Sequence, residues 1–215
     1  LQHRGQRSTG ISTFNPDPVG YERKLNVYKE VVNVDDLFRI ADREEFEQVT
    51  ERYKGIAGIG HVRYSTAGKK NSVNCQPIYA ELSSGGIAIA HNGNLTNSLT
   101  LKNQLIKDGA IFNSSMDTEV IIHLIARSNL LNISDRIIDA LKMIKGAYSL
   151  VLLANNSLYA IRDPNGVRPL ALGKLHNAFV VASESCAFDI IGAEFIRDIE
   201  PGEMLIINEN GLSSY

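Results

Sequence analysis

The sequence predicts an α+β fold of one domain, in which short strands at both ends of the chain enclose a run of helices. Two observations carry this prediction. Apolar residues recur at helical spacing through much of residues 101–144, whereas short apolar runs bounded by turn residues follow from residue 148 and also occur before residue 95. That order fits a layered α+β arrangement better than a doubly wound parallel sheet, in which strands and helices would alternate along the chain.

Helical periodicity marks four segments of the chain. Apolar positions between 37 and 49 follow an acidic pair and predict one amphipathic helix with an acidic first turn. Leucines and isoleucine at 101–106 predict a second helix. A third begins at Asp117, and a fourth follows Ser134 and ends before Gly146.

Short strands are predicted after these helices. Residues 148–154 and 158–162 are apolar runs that flank an Asn-Asn-Ser connection, which predicts a hairpin. Residues 179–182 and 204–207 follow as further strands, with a Pro-Gly turn between them.

The segment from Gly85 to Asn94 leads a short apolar run into an Asn92-Gly93 pair. A side-chain amide and a glycine N–H at the end of a buried strand form a donor pair that stabilises the oxyanion of an acyl-transfer intermediate. The alternative is a type I′ hairpin turn, the commoner origin of Asn-Gly between apolar runs. The segment by itself favours the turn, whereas the motifs around it favour the oxyanion site.

Two charged residues are candidates for holding a free amino acid. Arg63 ends another apolar run, and its planar guanidinium suits a bidentate contact with a carboxylate. A solvated arginine is the structural alternative. Asp117 precedes a predicted helix, where it would either cap the first turn or pair with a substrate ammonium group. Together the two residues match the charged ends of an α-amino acid.

A series of motifs covers nearly the whole chain. They are His3-Arg4-Gly5-Gln6, Gly60 to Gly68, Cys75-Gln76-Pro77, His91 to Asn97, Asp117-Thr118-Glu119-Val120, Lys145 to Val151, Arg162 to Leu170, Ala182 to Ala187 and Arg197 to Glu203. In this order they resemble the amidophosphoribosyltransferase family. Glucosamine-6-phosphate synthases share the glutamine-binding pattern, but they have Trp where this chain has Tyr64.

The resemblance implies an N-terminal-nucleophile hydrolase fold, which is a four-layer αββα sandwich of two antiparallel sheets between helices. It also implies that residues 1–215 form one glutaminase domain, truncated at both ends relative to the family. In this family an N-terminal cysteine, assisted by its own α-amino group, attacks the glutamine amide and releases ammonia through a thioester.

The resemblance assigns catalytic roles to four residues. Asn92 and Gly93 correspond to the oxyanion hole. Arg4 and Gly5 correspond to the loop packed beside the nucleophile, and Arg4 helps to close the glutamine pocket. A solvated arginine near a chain end is the structural alternative for Arg4.

Substrate binding is assigned to three further residues. Arg63 and Thr66 correspond to the groups that hold the glutamine α-carboxylate, and Asp117 to the partner of its α-ammonium. His61 and His91 titrate near neutral pH as a residue type, but we do not assign them as catalysts, because the family uses the terminal amine as its base.

The family's nucleophile corresponds to a position before Leu1, so we expect it to be missing and the fragment alone to be inactive. Cys75 and Cys186 lie elsewhere in the motif order, and small buried hydrophobes are the expected role for both. Two other functions stay open: a non-catalytic glutamine-binding or regulatory module, and the glutaminase portion of another amidotransferase.

In the resembled family the ammonia passes to a downstream phosphoribosyltransferase domain of the same chain. That domain converts phosphoribosyl pyrophosphate to 5-phosphoribosylamine in the first committed step of de novo purine biosynthesis. The resemblance therefore implies glutamine and that domain as partners, and a homo-oligomer. We expect no cofactor or metal in this fragment, whereas magnesium and, in some members, an iron–sulfur cluster belong to the rest of the parent enzyme.

Composition argues against several other classes of protein. The net charge is −2 and no basic run is longer than Lys69-Lys70, which argues against a nucleic-acid partner. Two distant cysteines make neither a disulfide framework nor a zinc cluster, so a reducing cytoplasm fits best. No apolar run approaches the roughly 20 residues that span a bilayer, so we expect no membrane association.

Overall fold

A six-stranded antiparallel sheet forms the centre of the molecule, in the order β12-β11-β7-β6-β5-β4. The structure is a computed structural model that describes residues 5, 7–18, 23–64, 72–154 and 156–215. The strands of the central sheet are β4 (Ile78–Leu82), β5 (Gly85–Leu95), β6 (Gly146–Ala154), β7 (Ser157–Arg162), β11 (Met204–Asn208) and β12 (Gly211–Ser214).

Both faces of the central sheet are buried, and β5 shows why its sequence is apolar at successive positions. Ile87 and Ile89 lie in the apolar core on one face, whereas Ala88 and Ala90 lie in a second core on the other. Side chains alternate between the faces of a strand, so a strand covered on both faces is apolar throughout. The small alanines let the second layer approach closely.

Three helices cover the isoleucine face of the central sheet. They are α3 (Ser98–Lys107), α4 (Thr118–Arg127) and α5 (Ile133–Met143). Val120, Ile121 and Ile125 of α4 are almost fully buried against Leu150 and Leu152 of the sheet. The three elements agree with the helices predicted from residues 101–144. Within the described residues, no helix is long and apolar enough to cross a membrane.

Two three-stranded antiparallel sheets lie side by side on the alanine face. One contains β1 (Ser8–Phe14), β2 (Leu25–Glu30) and β3 (Ala57–Arg63) in the order β2-β1-β3. The other contains β8 (Ala171–Leu175), β9 (Ala178–Ala182) and β10 (Glu194–Asp198) in the order β10-β8-β9. Among the described strands, the second sheet layer is thus divided in two.

Short helices form the outermost layer over these small sheets. The helices are α1 (Val34–Leu37), α2 (Arg43–Arg52) and α6 (Cys186–Ile191). Leu37 is fully buried and its helix contacts β1. Phe188 of α6 is buried over Gly173 of β8, where a Cβ would lie 3.1 Å from its ring. The layers confirm the predicted α+β, four-layer αββα architecture.

The prediction of one continuous helix from positions 37–49 is wrong. The chain forms α1 and α2 instead, and Arg39 between them has a left-handed φ of 55°. Asp42 then starts α2, since its carboxylate accepts hydrogen bonds from the backbone N–H groups of Glu44 and Glu45 at 2.9 and 3.0 Å. Local capping therefore outweighs the apolar periodicity that joined the two segments.

The hairpin predicted after residue 148 is confirmed, since β6 and β7 pair antiparallel from Ser149–Arg162 to Ala154–Ser157. The strands predicted at 179–182 and 204–207 are β9 and β11. Several further elements were not predicted from the sequence, because they are short and carry little periodicity: β1, β2, β4, β8, β10, β12 and α6.

A buried carboxylate ties β10 to the last two strands. Glu203 receives two hydrogen bonds from Arg197 at 2.7 and 2.8 Å and one from Ser214 at 2.7 Å. The backbone N–H of Glu200 donates a fourth at 2.7 Å. The Arg197 guanidinium above all lowers the pKa of Glu203 from 4.5 to about 2, against the opposing effect of burial.

We predict that Glu203 makes the folded state sensitive to acid. A pKa of about 2 in the folded protein, against an ordinary 4.5, corresponds to roughly 3 kcal/mol at about 1.4 kcal/mol per pKa unit. Because the folded-state pKa is depressed, this stabilisation is present above pH 4.5 and is lost as the pH falls towards 2. Glu203→Gln should therefore unfold at lower urea concentration at pH 7, and its deficit should shrink at pH 3.

The matched control is Glu209→Gln, because Glu209 is exposed in the turn before β12. It should change the free energy of unfolding by less than about 0.5 kcal/mol at either pH. Equal urea midpoints for Glu203→Gln and the unchanged protein at pH 7 would contradict the prediction.

Candidate active site

An open cleft of about 790 Å³ lies above the end of β5, beside the end of β3 and the residue after β9. Its walls come from several separate parts of the chain. The lining includes Gly60 to Tyr64, His91 to Asn94, Ser98, Lys102, Ser115 to Asp117 and Ser183. The cleft is of the size that encloses a small metabolite, for which about 300–1,000 Å³ is usual. It brings together Arg63, Asn92, Gly93 and Asp117 from the sequence prediction.

Asn92 and Gly93 are consecutive residues of β5 and do not form a turn. They pair with Ser149 and Tyr148 of the neighbouring strand β6. The structure therefore excludes the hairpin alternative for this Asn-Gly pair. A position inside a paired strand fixes the backbone more firmly than a turn would, and a fixed donor pair is what an oxyanion site requires.

The side chain of Gln76 holds the backbone of β5 just before this pair. Its carbonyl oxygen accepts a hydrogen bond from the His91 N–H at 2.6 Å, and its amide donates to the His91 carbonyl at 3.2 Å. Gln76 is itself buried. Gln76 belongs to one of the sequence motifs, but its role could not be predicted from the sequence, because the fold alone brings residues 76 and 91 together.

Gly93 is required by close packing around it. A Cβ on Gly93 would lie 2.1 Å from the carbonyl oxygen of Ala147, 2.7 Å from Cα of Tyr148 and 2.9 Å from Nε2 of His91. All three distances are below 3.0 Å, which is shorter than the contacts that Cβ atoms make in proteins, and two of the three atoms belong to the backbone. Any larger side chain would therefore displace β5 from β6 and move the adjacent Asn92.

Arg63 is the last residue of β3 and its guanidinium is anchored rather than freely solvated. Nη1 donates a hydrogen bond to the carbonyl oxygen of Asn74 at 3.0 Å and contacts Sδ of Met116 at 3.0 Å. Gly5 is buried against the backbone of Arg63, since a Cβ on Gly5 would lie 2.5 Å from the backbone nitrogen of Arg63. The solvated-arginine alternative for Arg63 is thereby excluded.

Asp117 stands at the start of α4, but its carboxylate does not cap the helix through the first-turn N–H groups. Oδ2 instead accepts a hydrogen bond from the backbone N–H of Leu95 at 2.9 Å, at the end of β5. Oδ1 lies 3.6 Å from Nδ1 of His91. The predicted alternative of an ordinary N-cap is therefore not what this carboxylate does.

The electrostatics of Asp117 favour its charged form. Burial raises the pKa of this carboxyl, but the contacts with His91 and the Leu95 N–H outweigh burial, so its pKa lies below the ordinary 3.8. A carboxylate that stays ionised at neutral pH, on the wall of a cleft, suits a cationic ligand group. Arg63 supplies the opposite charge in the same cleft.

Two of the predicted site residues, Arg4 and Thr66, lie outside the described residues. Neither of the two cysteines lines the cleft. Cys75 is buried, which raises the pKa of its thiol, and Cys186 is exposed at the start of α6. The expectation that both are buried hydrophobes holds for Cys75 and is wrong for Cys186. Among the described residues, no three His, Cys, Asp or Glu side chains are grouped to hold a metal ion.

Comparison with known proteins identifies the class. The pattern of the glutamine amidotransferase domain matches residues 61–189, which is more than half of the chain. That stretch contains Arg63, Asn92, Gly93 and Asp117. The chain belongs to the glutamine amidotransferase domain family.

Within this class, the chain is similar in sequence to amidophosphoribosyltransferases. It is 47% identical to the enzyme of Rhizobium etli over 206 residues, which are 96% of this chain and 39% of the relative. It is 42% identical to the Bacillus subtilis enzyme over 215 residues, which are 100% of this chain and 42% of the relative. The chain thus spans about two fifths of the length of the curated relatives it matches.

A solved structure gives the same result for the fold. Glutamine phosphoribosylpyrophosphate amidotransferase from Bacillus subtilis, in complex with ADP and GMP, superposes on the whole chain with a TM-score of 0.88 at 42% identity. The chain covers 44% of that structure. The resemblance read from the motifs and the N-terminal-nucleophile hydrolase fold that it implied are both confirmed.

We predict that Gly93→Ala destabilises the fold by about 1–3 kcal/mol, because the new Cβ would overlap backbone atoms of β6. The control is Gly60→Ala on β3, in the same cleft, where a Cβ would meet nothing closer than 3.7 Å. Urea unfolding should lower the midpoint of the first variant and leave that of the second within error. A Gly93→Ala protein as stable as Gly60→Ala would show that the β5–β6 contact is not tight.

Proposed function

We propose that this chain binds L-glutamine in the cleft and is the glutaminase part of an amidophosphoribosyltransferase, formed by residues 1–215. One observation carries the proposal. Arg63 and the ionised Asp117 present opposite charges on one cleft, and Asn92 and Gly93 of β5 line the same cleft. A free α-amino acid has the matching pair of charges, and a side-chain amide would extend towards Asn92 and Gly93.

In this proposal each residue has one task. Arg63, with Thr66, holds the α-carboxylate, and Asp117 holds the α-ammonium. The amide carbonyl carbon of glutamine is attacked by a cysteine thiolate, and the carbonyl oxygen becomes an oxyanion to which the Asn92 amide and the Gly93 N–H donate. The C–N bond then breaks, the nitrogen takes up a proton and leaves as ammonia, and water hydrolyses the thioester to glutamate.

The nucleophile of this reaction is not among the described residues that line the cleft, since no cysteine is in that lining. Arg4 and Gly5 are proposed to pack beside it, and the burial of Gly5 against Arg63 supports this placement for Gly5. We therefore infer that the described residues supply the glutamine-binding and oxyanion groups, and that turnover takes place in a longer chain, of the relatives' length, that also carries the cysteine.

The use of the ammonia follows from the relatives. We infer that it passes to a phosphoribosyltransferase domain, which forms 5-phosphoribosylamine from phosphoribosyl pyrophosphate in the first committed step of purine biosynthesis. The relatives' names and their greater length support this part. Magnesium and an iron–sulfur cluster would serve that larger enzyme, and the described residues offer no ligand cluster that fits either group. A cytoplasmic homo-oligomer without nucleic-acid or membrane partners stays our expectation.

A non-catalytic glutamine-binding or regulatory module would keep the same pocket and lack turnover even in the longer chain. Another amidotransferase would share the glutaminase step and differ in the acceptor of ammonia. The identity to amidophosphoribosyltransferases along the whole chain favours the proposed enzyme over both.

We predict that Arg63→Ala and Asn92→Ala separate binding from chemistry in the longer chain. Loss of the guanidinium removes a contact with the ground-state carboxylate, so the KM for glutamine should rise. Loss of one oxyanion donor should leave KM nearly unchanged and lower kcat by roughly 10²–10³-fold. Steady-state glutaminase kinetics, followed by glutamate release, measure both constants.

Arg127→Ala is the control for the loss of an arginine, because Arg127 forms a half-exposed ion pair with Asp108 at 2.6 Å and does not line the cleft. Both kinetic constants should stay within twofold of the unchanged enzyme. An unchanged KM in Arg63→Ala, or an unchanged kcat in Asn92→Ala, would refute the corresponding assignment.

A further inference from the structure

His91 is a buried titratable residue that the proposed chemistry leaves without a task. It precedes Asn92 on β5, and only 1% of its side chain is exposed. The backbone of the same residue is held on both sides by Gln76. The position of the imidazole is therefore fixed by the strand and not by a flexible loop.

One edge of the imidazole faces the start of α4. Nδ1 lies 3.1 Å from Oγ1 of Thr118 and 3.6 Å from Oδ1 of Asp117. A lone pair on Nδ1 would face a carboxylate oxygen with no hydrogen between them, which is unfavourable. A hydrogen on Nδ1 instead gives an attractive contact with both oxygens.

The opposite edge faces Gly93. Nε2 is buried and has no hydrogen-bond partner among the described residues. A Cβ on Gly93 would lie 2.9 Å from this nitrogen, so the imidazole fills the space that the glycine leaves open. A hydrogen on Nε2 would have no acceptor there, whereas a bare nitrogen is compatible with an adjacent C–H group.

We propose that His91 is a positioning residue that links the two halves of the glutamine site. Its Nδ1–H orients the carboxylate of Asp117, and its Nε2 edge supports Gly93, so one rigid ring sets the distance between the ammonium-binding and oxyanion-binding groups. This inference rests on the proposed function. It adds a role for a residue whose side chain contacts Asp117 and Gly93 of the site.

Two substitutions separate positioning from packing. His91→Asn keeps an N–H donor near the place of Nδ1 but leaves part of the ring volume empty. His91→Phe keeps most of the ring volume but removes both nitrogens. The positioning role requires that His91→Asn binds L-glutamine within about threefold of the unchanged chain, and that His91→Phe binds about tenfold more weakly. If His91 only fills space, His91→Phe should bind L-glutamine more tightly than His91→Asn.

The control is the same pair of substitutions at His123 of α4. That residue is half-buried against Phe112, near Glu119, and does not line the cleft. Neither variant should change glutamine affinity by more than twofold. Affinity is measured on the full chain by NMR titration with L-glutamine, with thermal melts of every variant to separate loss of binding from loss of folding.

Two NMR readouts do not depend on glutamine. Long-range ¹H–¹⁵N spectra of the unchanged chain should place the hydrogen of His91 on Nδ1, and a hydrogen on Nε2 would overturn the inference. The carboxyl of Asp117 should titrate at higher pH in His91→Phe than in His91→Asn, and identical titrations would also overturn it.

The outcomes distinguish the two proposals. An unchanged chain that does not bind L-glutamine refutes the proposed function, and the tautomer and the Asp117 titration still decide the role of His91. An unchanged chain that binds glutamine, with equal affinities for both His91 variants or with the reverse order, refutes the positioning role alone.

Discussion

The hydrogen bond from the backbone N–H of Leu95 to the carboxylate of Asp117 joins the end of β5 to the start of α4, and the site is organised around it. The carboxylate makes no capping hydrogen bond with the first turn of its helix, and its other oxygen lies near His91. The hydrogen bond also fixes the strand end that presents Asn92 and Gly93. One contact thereby couples the residue that would bind an ammonium group to the residues that would bind an oxyanion.

The central sheet makes this contact possible, because it is buried on both faces. The helix face of β5 carries His91 and Gly93, next to α4. Ala88, Ala90 and Asn92 alternate with them and lie on the face towards the small sheets. Asn92 can therefore point towards the cleft while its neighbours hold the strand in place. Arg63 reaches the same cleft from β3, so its positive charge and the negative charge of Asp117 line one cleft.

Much of this arrangement could be predicted from the sequence, and the rest depends on contacts between distant residues. Arg63 at a strand end, Asp117 at a helix start and the Asn92-Gly93 pair were found as local patterns, and helices α3 to α5 from periodicity. The break between α1 and α2 was missed, because a left-handed Arg39 and the Asp42 cap do not alter apolar spacing. The roles of Gln76 and His91 were missed as well, since their partners are 15 and 27 residues away.

The most direct test of the account is a crystal structure of the chain with L-glutamine bound. We expect the α-ammonium within about 2.7–3.2 Å of the Asp117 carboxylate, the α-carboxylate on the Arg63 guanidinium, and the side-chain amide oxygen directed at Asn92 and Gly93. Glutamine bound with its ammonium group away from Asp117, or a cleft left empty at saturating glutamine, would contradict it.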